Sequence, residues 1–254
     1  MKRTALITGA TSGLGYEFVK LFAKDEFDLV LVARNEKKME EIKQSLPNNK
    51  VTIIKKDLSL PNAAKEVFES IQREEIQIDI LINNAGFGLL GSFEDLDIHQ
   101  QTEMINLNIT ALTELTHYFL PQLKKSNSAK ILNVASTAAF QPGPSMAVYF
   151  ATKAYVLSFS EAIAEEVKEH NITVTTLCPG PTNTNFGAVA NSSNAKMFDQ
   201  AMTAEAVATQ GYNALFGGKG VTITGFVNKM GVLGAKFVPR RLAMKIAKNV
   251  MKEN

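Results

Sequence analysis

Disulfides, cysteine-built metal centres and long apolar runs are all missing from this chain, and each gap narrows what it can do. A single cysteine, Cys178, occurs in 254 residues, so no internal disulfide can form and no zinc site can rest on paired thiolates. That cysteine lies next to Pro179 at the end of an apolar run and reads as core. His99, His117 and His170 stand far apart without ligand spacing and read as ordinary helix residues, so no metal is expected. A formal charge of +2 is too weak for a nucleic-acid binder. Nowhere does an apolar run approach the roughly 18 residues of a membrane span. The start, Met1-Lys2-Arg3, begins like a signal peptide but becomes Thr- and Gly-rich before an apolar segment develops. A cytoplasmic location is the expectation. No linker, low-complexity tract or repeat divides the chain, which predicts a single domain over 1–254.

What is present is alternation. Short runs at 5–8, 29–33, 51–54, 78–83, 131–135 and 174–178 are continuously apolar, as expected of parallel strands covered on both faces. Helical patterns at about 14–25, 36–46, 61–74, 99–124 and 149–170 separate them. This repetition predicts a doubly wound, Rossmann-type α/β sheet with right-handed crossovers. After an irregular stretch at 183–203 and a helix near 204–215, a strand at 221–224 would complete about seven strands.

The first strand runs into Thr8-Gly9-Ala10-Thr11-Ser12-Gly13-Leu14-Gly15 and then a helix. Gly9 permits the sharp turn, Gly13 lets backbone approach a pyrophosphate, and Gly15 lets helix and strand pack closely. The helix start then aims free N–H groups and the positive end of its dipole at phosphate. Thr11, Ser12 and Leu14 belong to the same cradle. The second strand ends in Arg34, where an acidic residue would hydrogen-bond a free ribose 2′-hydroxyl. A guanidinium there suits a 2′-phosphate instead, with Ser12 adding a hydroxyl, so NADP(H) is expected over NAD(H).

Further motifs follow in order: Asp57-Leu58 after strand three, Asn83-Asn84-Ala85-Gly86 after strand four, and Asn108 in a long helix ending near Pro121. Ser136 comes just beyond strand five, Tyr149-Phe150-Ala151-Thr152-Lys153 opens the next helix, and Pro179-Gly180-Pro181-Thr182-Asn183-Thr184 follows strand six. A Tyr with a Lys four residues on is common by chance, but this ordered set resembles the short-chain dehydrogenase/reductase family over nearly the whole chain.

That resemblance implies hydride transfer between a nicotinamide cofactor and a carbonyl or alcohol. Tyr149 and Lys153, one helical turn apart, reach the same side. A free tyrosine has a pKa of about 10, and the expectation is that a nearby ammonium and the positive nicotinamide ring of the oxidised cofactor lower it. Tyr149 is then the proton donor to the carbonyl oxygen, Ser136 hydrogen-bonds that oxygen, and Lys153 also binds the nicotinamide ribose. Asn108 is implied to hold a water that relays protons to Lys153. Spacing from Pro121 selects Asn108 over Asn106, and distance to Tyr149 selects Ser136 over Thr137. The resemblance also implies that Asp57 and Leu58 contact adenine, and that Asn84, Ala85 and Gly86 line the adenosine ribose. Pro179, Gly180, Thr182 and Thr184 would border the nicotinamide or pyrophosphate.

Phe87-Gly88-Leu89, the segment 140–146 and the loop at 183–203 supply Phe87, Leu89, Phe140, Met146, Phe186 and Met197 to the expected substrate pocket. Such a lining suits a hydrophobic aldehyde or ketone. The alternative is an NADP(H)-binding sensor on the same fold, against which the complete Ser136, Tyr149, Lys153 and Asn108 set argues. A homodimer or homotetramer through the helices at 99–124 and 149–170 is implied by the family. The tail at 230–254 is basic and apolar. It reads as a helix docked on its own domain or a second subunit, in preference to peripheral membrane contact through 238–254.

Overall fold

Alternate residues of each strand point to opposite faces, and in this chain both sets are apolar. The computed structural model describes residues 2–126, 128–184, 186, 201–239, 241–242, 244–245 and 247. Strands β1 (Thr4–Thr8), β2 (Asp28–Ala33), β3 (Val51–Lys55), β4 (Ile80–Asn83), β5 (Lys130–Val134), β6 (Thr173–Cys178) and β9 (Val221–Ile223) form one sheet. Its order is β3-β2-β1-β4-β5-β6-β9, and every pairing in it is parallel. Ile7, Leu29, Leu31, Ile80 and Leu132 face one core with Phe18, Phe22 and Leu215; Leu6, Val30, Val32, Leu81 and Ile131 face the other with Val67, Ile71 and Phe119.

Helices α1 (Gly13–Lys24), α2 (Glu36–Ser45) and α7 (Ala204–Phe216) cover the first face. Helix α3 (Ala63–Arg73) and the paired α4 (Ile98–Ile105) and α5 (Leu112–Leu123) lie on the sequence between strands, with α6 (Ala147–Glu166) following β5. Connections run outward both ways from β1 and β4, so the strand order reverses between them. In open α/β sheets that reversal opens a crevice at the carboxyl ends of the strands.

Four features depart from the sequence reading. Between α4 and α5 the chain forms a π-helical turn over Asn106–Ala111, so the expected single helix is three consecutive segments. The first residues of the expected strand at 78–83 are outside β4. Part of the expected irregular stretch is ordered, β7 (Thr182–Asn183) pairing in parallel with β8 (Met202–Thr203). A further helix, α8 (Phe226–Phe237), follows β9. Met197 and most of the tail lie outside the described residues, although 241–242, 244–245 and 247 are helical.

The glycine turn shows why the sequence spends glycines there. Gly9 has φ +66°, the left-handed region that favours glycine. A Cβ on Gly15 would stand 2.1 Å from the Gly9 carbonyl oxygen. Gly15→Ala is therefore expected to lower stability by about 3 kcal/mol through overpacking. A fall in the urea midpoint at unchanged slope would register it. An unmoved midpoint would mean that α1 and the turn separate freely.

Candidate active site

The carboxyl ends of β1, β4, β5 and β6 meet around one cleft of about 880 Å³. Thr8, the last residue of β1, ties two of its walls together. Its hydroxyl donates to the Ile82 carbonyl (3.2 Å) and accepts from the amides of Asn84 (2.9 Å) and Ala85 (3.0 Å). The Asn84 side chain returns a bond to the Thr8 carbonyl at 2.9 Å. Asn84, Ala85 and Gly86 are thereby fixed against Gly9. Asn83 turns the other way, into a buried network with Thr116 (3.1 Å) and Asn133 (2.9 Å), and Asn133 donates on to Ser160 at 2.8 Å. Its role is structural: it links the sheet to the helices.

At the mouth of α1, Ser12 is extended and its side chain makes no cap bond, leaving the hydroxyl and the first helical amides open toward the cleft. Gly13 presents its open side to Thr184, 3.1 Å from where a Cβ would be. Arg34, largely exposed, stands 3.8 Å from the Asp57 carboxylate. Asp57 also accepts from the amide (3.0 Å) and hydroxyl (2.6 Å) of Ser59. The helix after β3 begins further on, with Asn62 at its N-cap position and no side-chain cap bond there. Leu58 is buried beside Asp57 on the cleft wall.

Ser136, just past β5, caps the short turn Thr137–Phe140 by accepting from the Ala138 amide at 3.1 Å, and donates weakly to the Pro179 carbonyl at 3.4 Å. Tyr149 and Lys153 lie on the buried side of α6. The Lys153 ammonium donates to the Val134 carbonyl at 2.8 Å and sits 5.9 Å from the Tyr149 ring centre. Burial pushes the Tyr149 phenol up to about 12, with the neighbouring Ser136 hydroxyl lowering it, and pushes Lys153 down to about 8. For the chain by itself the direction is opposite to the one expected for Tyr149 beside an ammonium and an oxidised nicotinamide ring. In this cleft desolvation outweighs any neighbouring charge, and the ammonium is turned toward Val134.

Asn108 lies in the π-helical turn, buried, with its side chain clamped to the chain after β4. Its Nδ2 donates to the Phe87 carbonyl (2.9 Å) and Thr152 hydroxyl (3.0 Å), and its Oδ1 accepts from the Phe87 amide at 3.1 Å. A Cβ on Gly86 would stand 2.8 Å from the Asn108 Oδ1 and 3.5 Å from the Lys153 Nζ. Asn108 therefore backs the wall beside Lys153, whereas Asn106 is only half-buried. Of the catalytic and cofactor residues selected from the sequence, all line the cleft except Gly15 and Asn108, which lie behind it.

A strand order reversing at β1 and β4, a glycine turn between them, and a Tyr-Lys pair on the helix after the fifth strand now coincide with a family match. The short chain dehydrogenase model matches residues 3–195. This chain is a short-chain dehydrogenase.

An uncharacterized oxidoreductase of Staphylococcus epidermidis is 31% identical over 183 residues, spanning 72% of this chain and 79% of the relative. A short-chain dehydrogenase from Sphingobium yanoikuyae, solved in complex with NADPH, superposes with a TM-score of 0.83 at 30% identity, over 96% of this chain and 95% of that one. The bulky-bulky ketone specific alcohol dehydrogenase from Comamonas testosteroni superposes with a TM-score of 0.78 at 27% identity, over 96% and 94%. The dehydrogenase is accordingly an oxidoreductase.

Several residues that build the cleft carry no signal in the sequence. Thr8, which braces the wall from behind, reads only as a strand end, because its partners are 74 to 77 positions away. Phe150 was quoted only as the residue after Tyr149, yet it lines the cleft and a Cβ on Gly143 would stand 2.3 Å from its ring. Asn228, Gly231, Val232 and Ala235 of α8 complete the wall, and Asn228 packs so closely on Gly180 that a Cβ there would stand 2.4 Å away. No signal near these positions marks them.

Proposed function

We propose that the protein is an NADPH-dependent reductase of bulky apolar aldehydes or ketones, running in reverse as an alcohol dehydrogenase, with Tyr149 as the proton donor. One observation carries this reading. Ser136, Tyr149 and Lys153 stand in the same cleft as the glycine turn and Arg34, and the wall around Tyr149 is apolar, with Phe87, Phe140, Met146, Phe150 and Phe186. The Phe186 ring lies 5.4 Å from that of Tyr149. Two relatives support it: one was solved with NADPH and the other is specific for bulky-bulky ketones.

The residues present fit a dinucleotide phosphate. The open start of α1 and the Ser12 hydroxyl offer donors to anionic oxygen, and among the described residues Arg34 meets no carboxylate closer than Asp57 at 3.8 Å. When bound, the cofactor supplies the hydride. Everything else falls to the chain. Tyr149, protonated at neutral pH like any phenol and held so the more firmly by burial, gives its proton to the carbonyl oxygen. Ser136 hydrogen-bonds the same oxygen and stabilises the charge that develops there. Lys153 holds a positive charge behind Tyr149, and Asn108 fixes the Phe87 backbone and the wall at Gly86. Exposed Ile105 and Tyr155 on α4 and α6 fit a homo-oligomer formed through those helices.

The test is NADPH consumption by the purified protein against a panel of aldehydes and ketones of increasing bulk, with NADH in parallel. Turnover restricted to NADPH and rising with apolar bulk is expected. Tight NADPH binding without turnover on any carbonyl would point instead to the sensor. In Arg34→Ala, the KM for NADPH should rise about tenfold, one charge-assisted contact, while that for NADH stays put. Equal changes for both cofactors would remove Arg34 from the 2′-phosphate site.

A further inference from the structure

Helix α8 has two faces, and among the described residues only one of them is packed. Asn228, Gly231, Val232 and Ala235 turn inward to the cleft. Phe226, Met230, Leu233 and Phe237 recur at intervals of four, three and four, one stripe along a helix, and they are 76%, 51%, 48% and 83% exposed. Val227, 71% exposed, stands on the cleft rim between the two faces. Large side chains gathered on one exposed helix mark an interaction surface.

The charges around the stripe say what covers it. From Ala206 to Lys252 the chain carries eight Lys and Arg residues and not one Asp or Glu. The rest of the chain, with 19 basic and 25 acidic residues, is net negative. Lys229, Arg241 and Lys245 are exposed among the apolar side chains. An apolar stripe on a segment whose only charges are cationic is the pattern of a helix lying in the interface of an anionic bilayer. A two-fold pair of copies meeting through this face would set two wholly cationic segments against each other.

We infer that α8 docks the protein onto an anionic lipid surface, burying Phe226, Met230, Leu233 and Phe237 among the acyl chains while the basic residues engage the headgroups. The cleft rim at Val227 then faces the bilayer. An apolar carbonyl compound dissolved in lipid reaches Tyr149 without crossing water, a consequence that rests on the function proposed above. The docking itself does not.

Co-sedimentation of the full chain with phosphatidylcholine vesicles, with and without about 30 mol % phosphatidylglycerol, reads the docking separately from activity. Binding to the anionic vesicles alone, weakened by salt, is expected. The outward double variant Phe226→Ser, Phe237→Ser should weaken it at least about tenfold at an unchanged Tm. Lys229→Glu with Arg241→Glu should act alike. Failure to sediment with anionic vesicles overturns the inference, as does sedimentation that neither variant alters. A dimer in light scattering that the Phe double variant splits, with no lipid binding, assigns the face to a second copy and also overturns it.

Discussion

In Tyr149→Phe, kcat for carbonyl reduction should fall by about 10²–10⁴, the usual contribution of one positioned proton donor. NADPH affinity and thermal stability should hardly change. The substitution removes one oxygen and keeps the ring that packs 5.4 Å from Phe186 and 6.2 Å from Phe150. The phenol is buried and its pKa is raised to about 12, so at pH 7 it is a neutral hydroxyl and its loss removes no charge. Stopped-flow turnover, fluorescence titration with NADPH and a melting curve separate the three quantities. A variant within threefold of the parent kcat would dismiss Tyr149 as the donor. A loss of NADPH binding of similar size would move the residue from chemistry to positioning.

Lys153→Met should produce opposite effects on activity and stability. Turnover is expected to fall by about 10² or more, since the cation behind the proton donor is gone. Stability should rise. Lys153 is 5% exposed and burial depresses it from 10.5 to about 8, which corresponds to roughly 3 kcal/mol of penalty on the charged form in the folded state. Methionine removes that penalty, and the Val134 carbonyl loses its donor at a cost of about 1–2 kcal/mol, leaving a net gain of about 1–2 kcal/mol. The pH window follows from the sign. Below pH 8 the lysine is charged in both folded and unfolded chains and the penalty is complete. Between 8 and 10.5 the unfolded chain binds the extra proton, so parent stability rises with pH and the advantage of the variant shrinks. Paired melting curves at pH 7 and pH 10 measure it. A variant that melts below the parent at pH 7 would show that the ammonium is well solvated. The same discharge should make the parent's reduction rate fall as pH rises through about 8.

Most of the sheet was legible because its strands carry two apolar faces, a pattern that survives in the sequence as uninterrupted runs such as Leu29 to Ala33. The glycine turn and the Tyr149–Lys153 pair were legible for a different reason: each is a local spacing whose geometry a strand end or a helix fixes. Helix α8 was legible only in part: the helix expected in the tail at 230–254 overlaps its second half, but its start carries no side-chain cap, and Gly231 and Gly234 weaken the helical signal. The raised phenol was illegible, since a spacing shows that Lys153 is near but not that the phenol is buried.

The π-helical turn at Asn106–Ala111 acts as a phase shifter along a continuous rod. One extra residue per turn rotates all that follows by about 100° relative to a regular helix. Gln101 and Met104 before it, and Leu112, Leu115 and Phe119 after it, are all buried, so each half is aligned to its own neighbours and the turn absorbs the mismatch. Losing a single residue here would regularise the helix yet swing one set of buried side chains, and the Asn108 clamp on Phe87, away from their partners. The length of this rod is therefore quantised: residues can be gained or lost at its outer ends, but not between Met104 and Leu112.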